Sequence, residues 1–166
     1  MKKGLVQIFC GEGKGKTTAA IGKGIQAASM GKSVMIIQFL KGRQGDEISF
    51  IQRLEPEIKL FRFERSESSW LDLTPEEREE ETQNIRNGLN FARKVITTQG
   101  CDVLILDEVL GLPAAGIISA DEIISLIETK DDEMDLILTG INQDEEYWEL
   151  ADEVTVMQMK KHENRN

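Results

Sequence analysis

The chain has 166 residues, 40% of them hydrophobic, and sets 20 Lys and Arg against 30 Asp and Glu for a formal net charge of −10. That length suits one domain with a sizeable core, and the acidic balance argues against nucleic acid and anionic membranes as partners. No apolar run approaches the ~18 residues of a membrane span, and no signal peptide opens the chain. Cys10 and Cys101 lack metal-ligand spacing and read as reduced thiols of a cytoplasmic protein. The one histidine, His162, lies in the charged tail, which excludes a multi-histidine metal site or a Ser/His/Asp triad within one chain. Mg²⁺ on oxygen ligands is the metal that remains.

Val6–Phe9 reads as a buried strand and runs into Cys10-Gly-Glu-Gly-Lys-Gly-Lys-Thr-Thr18. A strand, a glycine-rich turn and a helix N-terminus together present backbone N–H groups and a helix dipole to a polyphosphate. Gly11, Gly13 and Gly15 permit positive φ and close backbone approach. Lys16 reaches phosphate oxygens and the Thr17 hydroxyl suits Mg²⁺. The usual P-loop formula asks for glycine where Cys10 stands, but Gly15-Lys16-Thr17 is intact. Gly11, Glu12, Gly13, Lys14, Gly15, Lys16, Thr17 and Thr18 are therefore the candidate nucleotide-binding residues. With Lys23, Lys41 and Arg43, the lysines of this loop predict a local positive site in an acidic protein.

Thr17 to about Met30 has helical periodicity, with Ala20, Ile21, Ile25 and Ala28 on one stripe and Gly31 as its stop. Val34–Phe39 is apolar almost throughout, as in a parallel sheet covered on both faces. The loop from Leu40 to Glu47 then lies at the carboxyl edge, where α/β sheets hold ligands. A short helix is expected over 46–53 and a more alternating, near-edge strand over Ile58–Phe63. A polar loop holding Ser68, Ser69 and Trp70 follows. Thr74-Pro75-Glu76-Glu77 is a capping box with proline at the first helical position. Its helix runs to about Thr98 with Ile85, Leu89, Ala92 and Ile96 inward, and its acidic opening, Glu76 to Glu81, reads as a solvated face.

Asp102–Asp107 is a buried strand that ends in the carboxylates Asp107 and Glu108. Beside a P-loop this is a Walker-B pattern, with Asp107 or Glu108 serving Mg²⁺. A second capping box, Ser119 to Glu122, opens another helix. Met134–Thr139 is a fifth strand, Gln143–Leu150 a short helix with Trp148 as packing, and Glu153–Gln158 a last strand. The alternation predicts a single α/β P-loop domain: a mostly parallel central sheet of about six strands with helices on both faces, and a polar tail over 159–166.

Several of these segments together resemble the ATP:corrinoid adenosyltransferases of the BtuR/CobO/CobP type. They are Gly-Glu-Gly-Lys-Gly-Lys-Thr-Thr-Ala-Ala (11–20), Gln-Phe-Leu-Lys-Gly (38–42), Leu-Asp-Glu (106–108), Leu-Thr-Gly (138–140) and Ala-Asp-Glu-Val (151–154). The resemblance implies attack of a reduced cob(I)alamin or corrinoid on C5′ of ATP, with triphosphate leaving as a unit. Cobalt is then the nucleophile, so no protein nucleophile or general base is required. It further implies ATP lying reversed in the loop, Thr17 and Glu108 as Mg²⁺ ligands, Lys16 on the phosphates, Lys41 near the nucleotide and Trp70 against the corrin. A homodimer and a reductase that supplies electrons to cobalt belong to the same expectation. The chain departs from the family at Ser68-Ser69-Trp70, where the family has Phe-Thr-Trp, and at Thr139-Gly140-Ile141, where it has Thr-Gly-Arg. Its first strand also starts at about residue 5, without the helix that precedes it in the family, and its C-terminal segment is shorter. On the residues alone two other readings stay open. One is a small P-loop phosphohydrolase or kinase using Asp107, Glu108 or Glu47 as base; the other is a non-catalytic, nucleotide-dependent interaction protein.

Overall fold

A computed structural model describes residues 3–40 and 50–162. Apolar runs become strands and the amphipathic segments between them become helices. In chain order these are β1 (Val6–Cys10), α1 (Lys16–Ser29), β2 (Val34–Gln38), β3 (Ile58–Arg62), α2 (Pro75–Thr98), β4 (Val103–Asp107), α3 (Ala120–Thr129), β5 (Asp135–Gly140), α4 (Glu145–Trp148) and β6 (Glu153–Val156). Short 3₁₀ turns occupy Ile51–Leu54, Trp70–Asp72 and Val109–Gly111. The strands form one sheet in the order β3-β2-β4-β5-β1-β6, and every neighbouring pair is parallel. Parallel neighbours need crossover connections, which is why helices alternate with strands.

Side chains alternate between the two faces of the sheet. Val34, Ile36, Val103, Ile105 and Ile137 pack with Ala20 and Ala27 of α1. Ile37, Leu104, Leu106, Leu136 and Leu138 pack with Ile85, Leu89 and Ile96 of α2 and Ile123 and Leu126 of α3. Because both faces are covered, β2, β4 and β5 are apolar nearly throughout. β3 and β6 are the edges, as the alternating pattern of β3 predicts. Among the described residues no helix is long and apolar enough to cross a membrane.

Three expectations change. The buried stripe of α1 is Lys16, Ala20, Gly24 and Ala27, and Ile25 is 49% exposed. Small residues let the helix lie close to the sheet: a Cβ on Gly24 would sit 3.2 Å from both Ile105 Cδ1 and Val34 Cγ1. The acidic opening of α2 is not uniformly solvated, because Glu81 is buried and accepts hydrogen bonds from the Arg65 amide (3.1 Å) and Asn84 Nδ2 (3.0 Å). α2 ends at Thr98 as expected, closed by Gln99 in a left-handed conformation. The short helix expected over 46–53 survives as the 3₁₀ turn from Ile51, its earlier part lying outside the described residues. Both capping boxes form as expected, at Thr74/Glu77 and Ser119/Glu122.

Candidate active site

β1 ends at Cys10 and α1 begins at Lys16, so the glycine-rich loop spans the carboxyl edge of the sheet. Gly11 and Gly15 hold φ of 105° and 103°, which the loop's turns demand and a Cβ would oppose. The first half of the loop is fastened to the chain around it. The Gly11 amide donates to the Ile141 carbonyl (3.2 Å), the Gly13 amide to the Met157 carbonyl (2.8 Å), and the Met157 amide to the Cys10 carbonyl (2.8 Å). A Cβ on Gly11 or Gly13 would lie 2.5 or 2.7 Å from the Met157 backbone. Glu12, Lys14, Gly15 and Thr18 are exposed on the outer side.

Lys16 is buried and its Nζ donates to the Gly13 carbonyl at 2.7 Å, inside the turn of the loop. At the second residue of α1, the Thr17 hydroxyl donates to Asp107 Oδ1 at 2.8 Å. Asp107 is 1% exposed, and two further donors hold it: Thr139 Oγ1 at 2.6 Å on Oδ1 and Gln38 Nε2 at 3.2 Å on Oδ2. The strand order explains this convergence, since β5 lies between β1 and β4 and β2 lies on the other side of β4. Thr139 also accepts from the Glu108 amide at 2.9 Å and so fixes Glu108 in a left-handed conformation, φ 63°.

The structure thus brings Lys16, Thr17, Asp107 and Glu108 to one end of the sheet. Gln38 and Thr139 join them although no separate role is legible for either in the sequence. Their signal was a polar residue near the carboxyl end of each of two apolar strands. Lys23 does not join. It is exposed and lines, with Lys3 and Lys32, a cleft of about 220 Å³ beside α1. Lys41, Arg43 and Glu47 lie outside the described residues. Trp70 opens the 3₁₀ turn after β3, partly buried against the α2 side of the core. The Arg78 guanidinium stacks 5.6 Å from its ring centroid and donates through Nε to its carbonyl at 3.1 Å. Next to it Leu71 is 81% exposed. Cys10, in the usual glycine position, is fully buried; burial raises its thiol pKa, against the opposing pull of a Trp148 hydrogen bond and the Lys16 charge. Trp148 packs against the core as expected, and its hydrogen bond reaches Cys10 at the foot of the loop.

Among the described residues no group of three or more His, Cys, Asp or Glu is arranged to hold a metal. What the site offers a cation is a hydroxyl and carboxylates, an oxygen set of the kind Mg²⁺ shares with phosphate and water.

A family model described as ATP:corrinoid adenosyltransferase BtuR/CobO/CobP matches residues 2–166. The chain is similar to a protein of Escherichia coli K12 named corrinoid adenosyltransferase, 29% identical over 163 residues that cover 97% of this chain and 80% of that protein. It is also similar to the Salmonella typhimurium corrinoid adenosyltransferase CobA, 28% identical with the same coverage. Among solved structures, a KaiC-like protein from Pyrococcus horikoshii superposes with a TM-score of 0.58 at 16% identity, covering 96% of this chain and 75% of that one. That likeness speaks to the fold.

Proposed function

The chain belongs to the ATP:corrinoid adenosyltransferase family and is an ATP:corrinoid adenosyltransferase; from that premise we propose how its own residues carry out the transfer. Co(I) of a reduced corrinoid attacks C5′ of ATP. A Co–C5′ bond forms from the cobalt electron pair, the C5′–O5′ bond breaks, and triphosphate leaves with the bonding pair. No proton moves at the reacting carbon, so the protein's work is to position the two substrates and to stabilise the leaving group.

The amides of Gly11 and Gly13 are spent on backbone carbonyls. The phosphate cradle therefore falls to the stretch after them, from Lys14 through Thr18, at the positive end of the α1 dipole. Lys16 exchanges the Gly13 carbonyl for a phosphate oxygen, placing its charge where the triphosphate gains negative charge. The family resemblance assigns Lys41, too, to the nucleotide. Thr17, Asp107 and Glu108 would hold Mg²⁺, which supplies Lewis-acid neutralisation of the leaving triphosphate. Gln38 and Thr139 keep the Asp107 carboxylate turned toward Thr17. Trp70, braced by Arg78 and flanked by exposed Leu71, offers an apolar surface to the corrin. We place the reaction in the cytoplasm of a single-domain protein, with a reductase delivering electrons to cobalt and a homodimer as the working assembly.

The observation that carries this reading is the Thr17 hydroxyl on Asp107, which joins the glycine-rich loop to β4. Thr17→Val keeps the shape and removes the oxygen. It is expected to lower adenosylation about 100-fold and to raise the Mg²⁺ concentration at half-maximal rate. Wild-type rate and Mg²⁺ dependence would remove Thr17 from the metal site.

A further inference from the structure

Two strands of the sheet leave the carboxyl edge through a left-handed residue that is not glycine: Glu108 after β4 (φ 63°) and Leu40 two residues after β2 (φ 54°). Each is a conformation that a residue with a Cβ keeps only when its surroundings fix it. In both the fixing contact is a side-chain oxygen on the amide. Thr139 takes the Glu108 amide, and the Glu64 carboxylate, arriving from just beyond β3, takes the Leu40 amide at 2.6 Å. The Leu40 side chain then lies against the bare α-carbon of Gly111: a Cβ there would be 3.2 Å from Leu40 Cδ1 and 4.0 Å from Glu108 Oε2. Gly111 closes the 3₁₀ turn that Glu108 opens. A continuous set of contacts therefore runs from Glu64 through Leu40 to the turn that carries Glu108. Glu64 is itself anchored from α2, because the amide of its neighbour Arg65 donates to buried Glu81, which Asn84 also holds.

We propose that Glu64 is a positioning residue for the transfer, fixing Leu40 so that the turn after β4 presents Glu108 to the triphosphate site. This rests on the reading that Glu108 belongs to that site. The geometry asks of Glu64 an acceptor oxygen at the right reach, not a charge. Glutamine at this position supplies the same acceptor, whereas alanine supplies none and aspartate is one methylene short.

The test is steady-state adenosylation of a reduced corrinoid by wild type, Glu64→Ala, Glu64→Asp and Glu64→Gln, at a temperature where each is folded by circular dichroism. Loss of a partly buried hydrogen bond of this kind corresponds to a kcat about tenfold lower for Glu64→Ala and Glu64→Asp. KM for ATP should stay within about threefold, since the phosphate cradle lies on other elements, and Glu64→Gln should return to within about twofold of wild type. A merely stabilising residue would lower the melting temperature and leave kcat of the folded enzyme unchanged, and that result overturns the proposal. So does a Glu64→Gln enzyme as slow as Glu64→Ala. If Glu64→Ala does not fold, Glu64→Asp and Glu64→Gln decide the matter. A wild-type protein that makes no adenosylcorrinoid would instead refute the functional reading, which separates the two failures.

Discussion

Asp107 shows how much a single buried carboxylate can organise. It accepts from Thr17, Thr139 and Gln38, on three different elements, so its replacement should affect stability and activity together. Asp107→Asn turns an acceptor into a donor against at least one of these partners. We expect a loss of about 1–3 kcal/mol in denaturant unfolding together with loss of adenosylation. An Asn variant as stable as wild type would mean that the three donors find other acceptors. Lys16→Ala should abolish ATP binding measured by calorimetry, and unchanged affinity would remove Lys16 from the phosphate site. Tyr147 makes the opposite case. Its hydroxyl is buried and has no hydrogen-bond partner among the described residues; burial, with Asp144, Glu146 and Asp121 nearby, pushes its phenol up to about 12. Tyr147→Phe is therefore expected to leave stability unchanged or raise it by up to about 1 kcal/mol. A loss larger than that would reveal a partner for the hydroxyl. At this scale the sequence is legible where chemistry is concentrated in adjacent residues, as in Lys16, Thr17, Asp107 and Glu108. It is opaque for Gln38, Thr139 and Glu64, whose roles come from neighbours far away in the chain.

At the scale of elements, strand positions and both capping boxes follow from apolar runs and cap residues. The helix faces follow less well. Periodicity alone points Ile25 inward, yet α1 buries Ala20, Gly24 and Ala27, because close approach to the sheet gains more than one large side chain would. The consequence is testable. Gly24→Val adds methyls where 3.2 Å separates the first added carbon from Ile105 and Val34. Overpacking of this kind should cost about 1–3 kcal/mol in urea unfolding. No loss would mean that α1 lies farther from the sheet. Glu81 misleads in a similar way: within a run of glutamates it looks solvated, and only the return of the chain at Arg65 buries it.

At the scale of the molecule, alternating strands and helices announce a parallel sheet, while the order β3-β2-β4-β5-β1-β6 is a long-range outcome that no local pattern encodes. That order brings the ends of β2 and β3 together, so that Glu64 meets the Leu40 amide, while α2 brings Glu81 near it. Burial, with Glu81 nearby, raises Glu64 from the ordinary 4.5 to about 7, against the opposing pull of the Leu40 amide and Arg62. A carboxyl whose folded pKa exceeds its unfolded one contributes stability below about 4.5 that is lost as pH rises through about 7. Glu64→Gln should therefore gain stability relative to wild type between pH 5 and pH 8 in denaturant titrations. An equal difference at both pH values would contradict that assignment.

The claim on which the rest depends is that the loop grips ATP by its triphosphate and leaves C5′ to cobalt. The direct measurement mixes the protein with Mg-ATP and a chemically reduced corrinoid, follows the corrinoid spectrum, and separates the phosphate products. The account predicts one triphosphate released for each adenosylcorrinoid formed. Orthophosphate with no adenosylcorrinoid would contradict it.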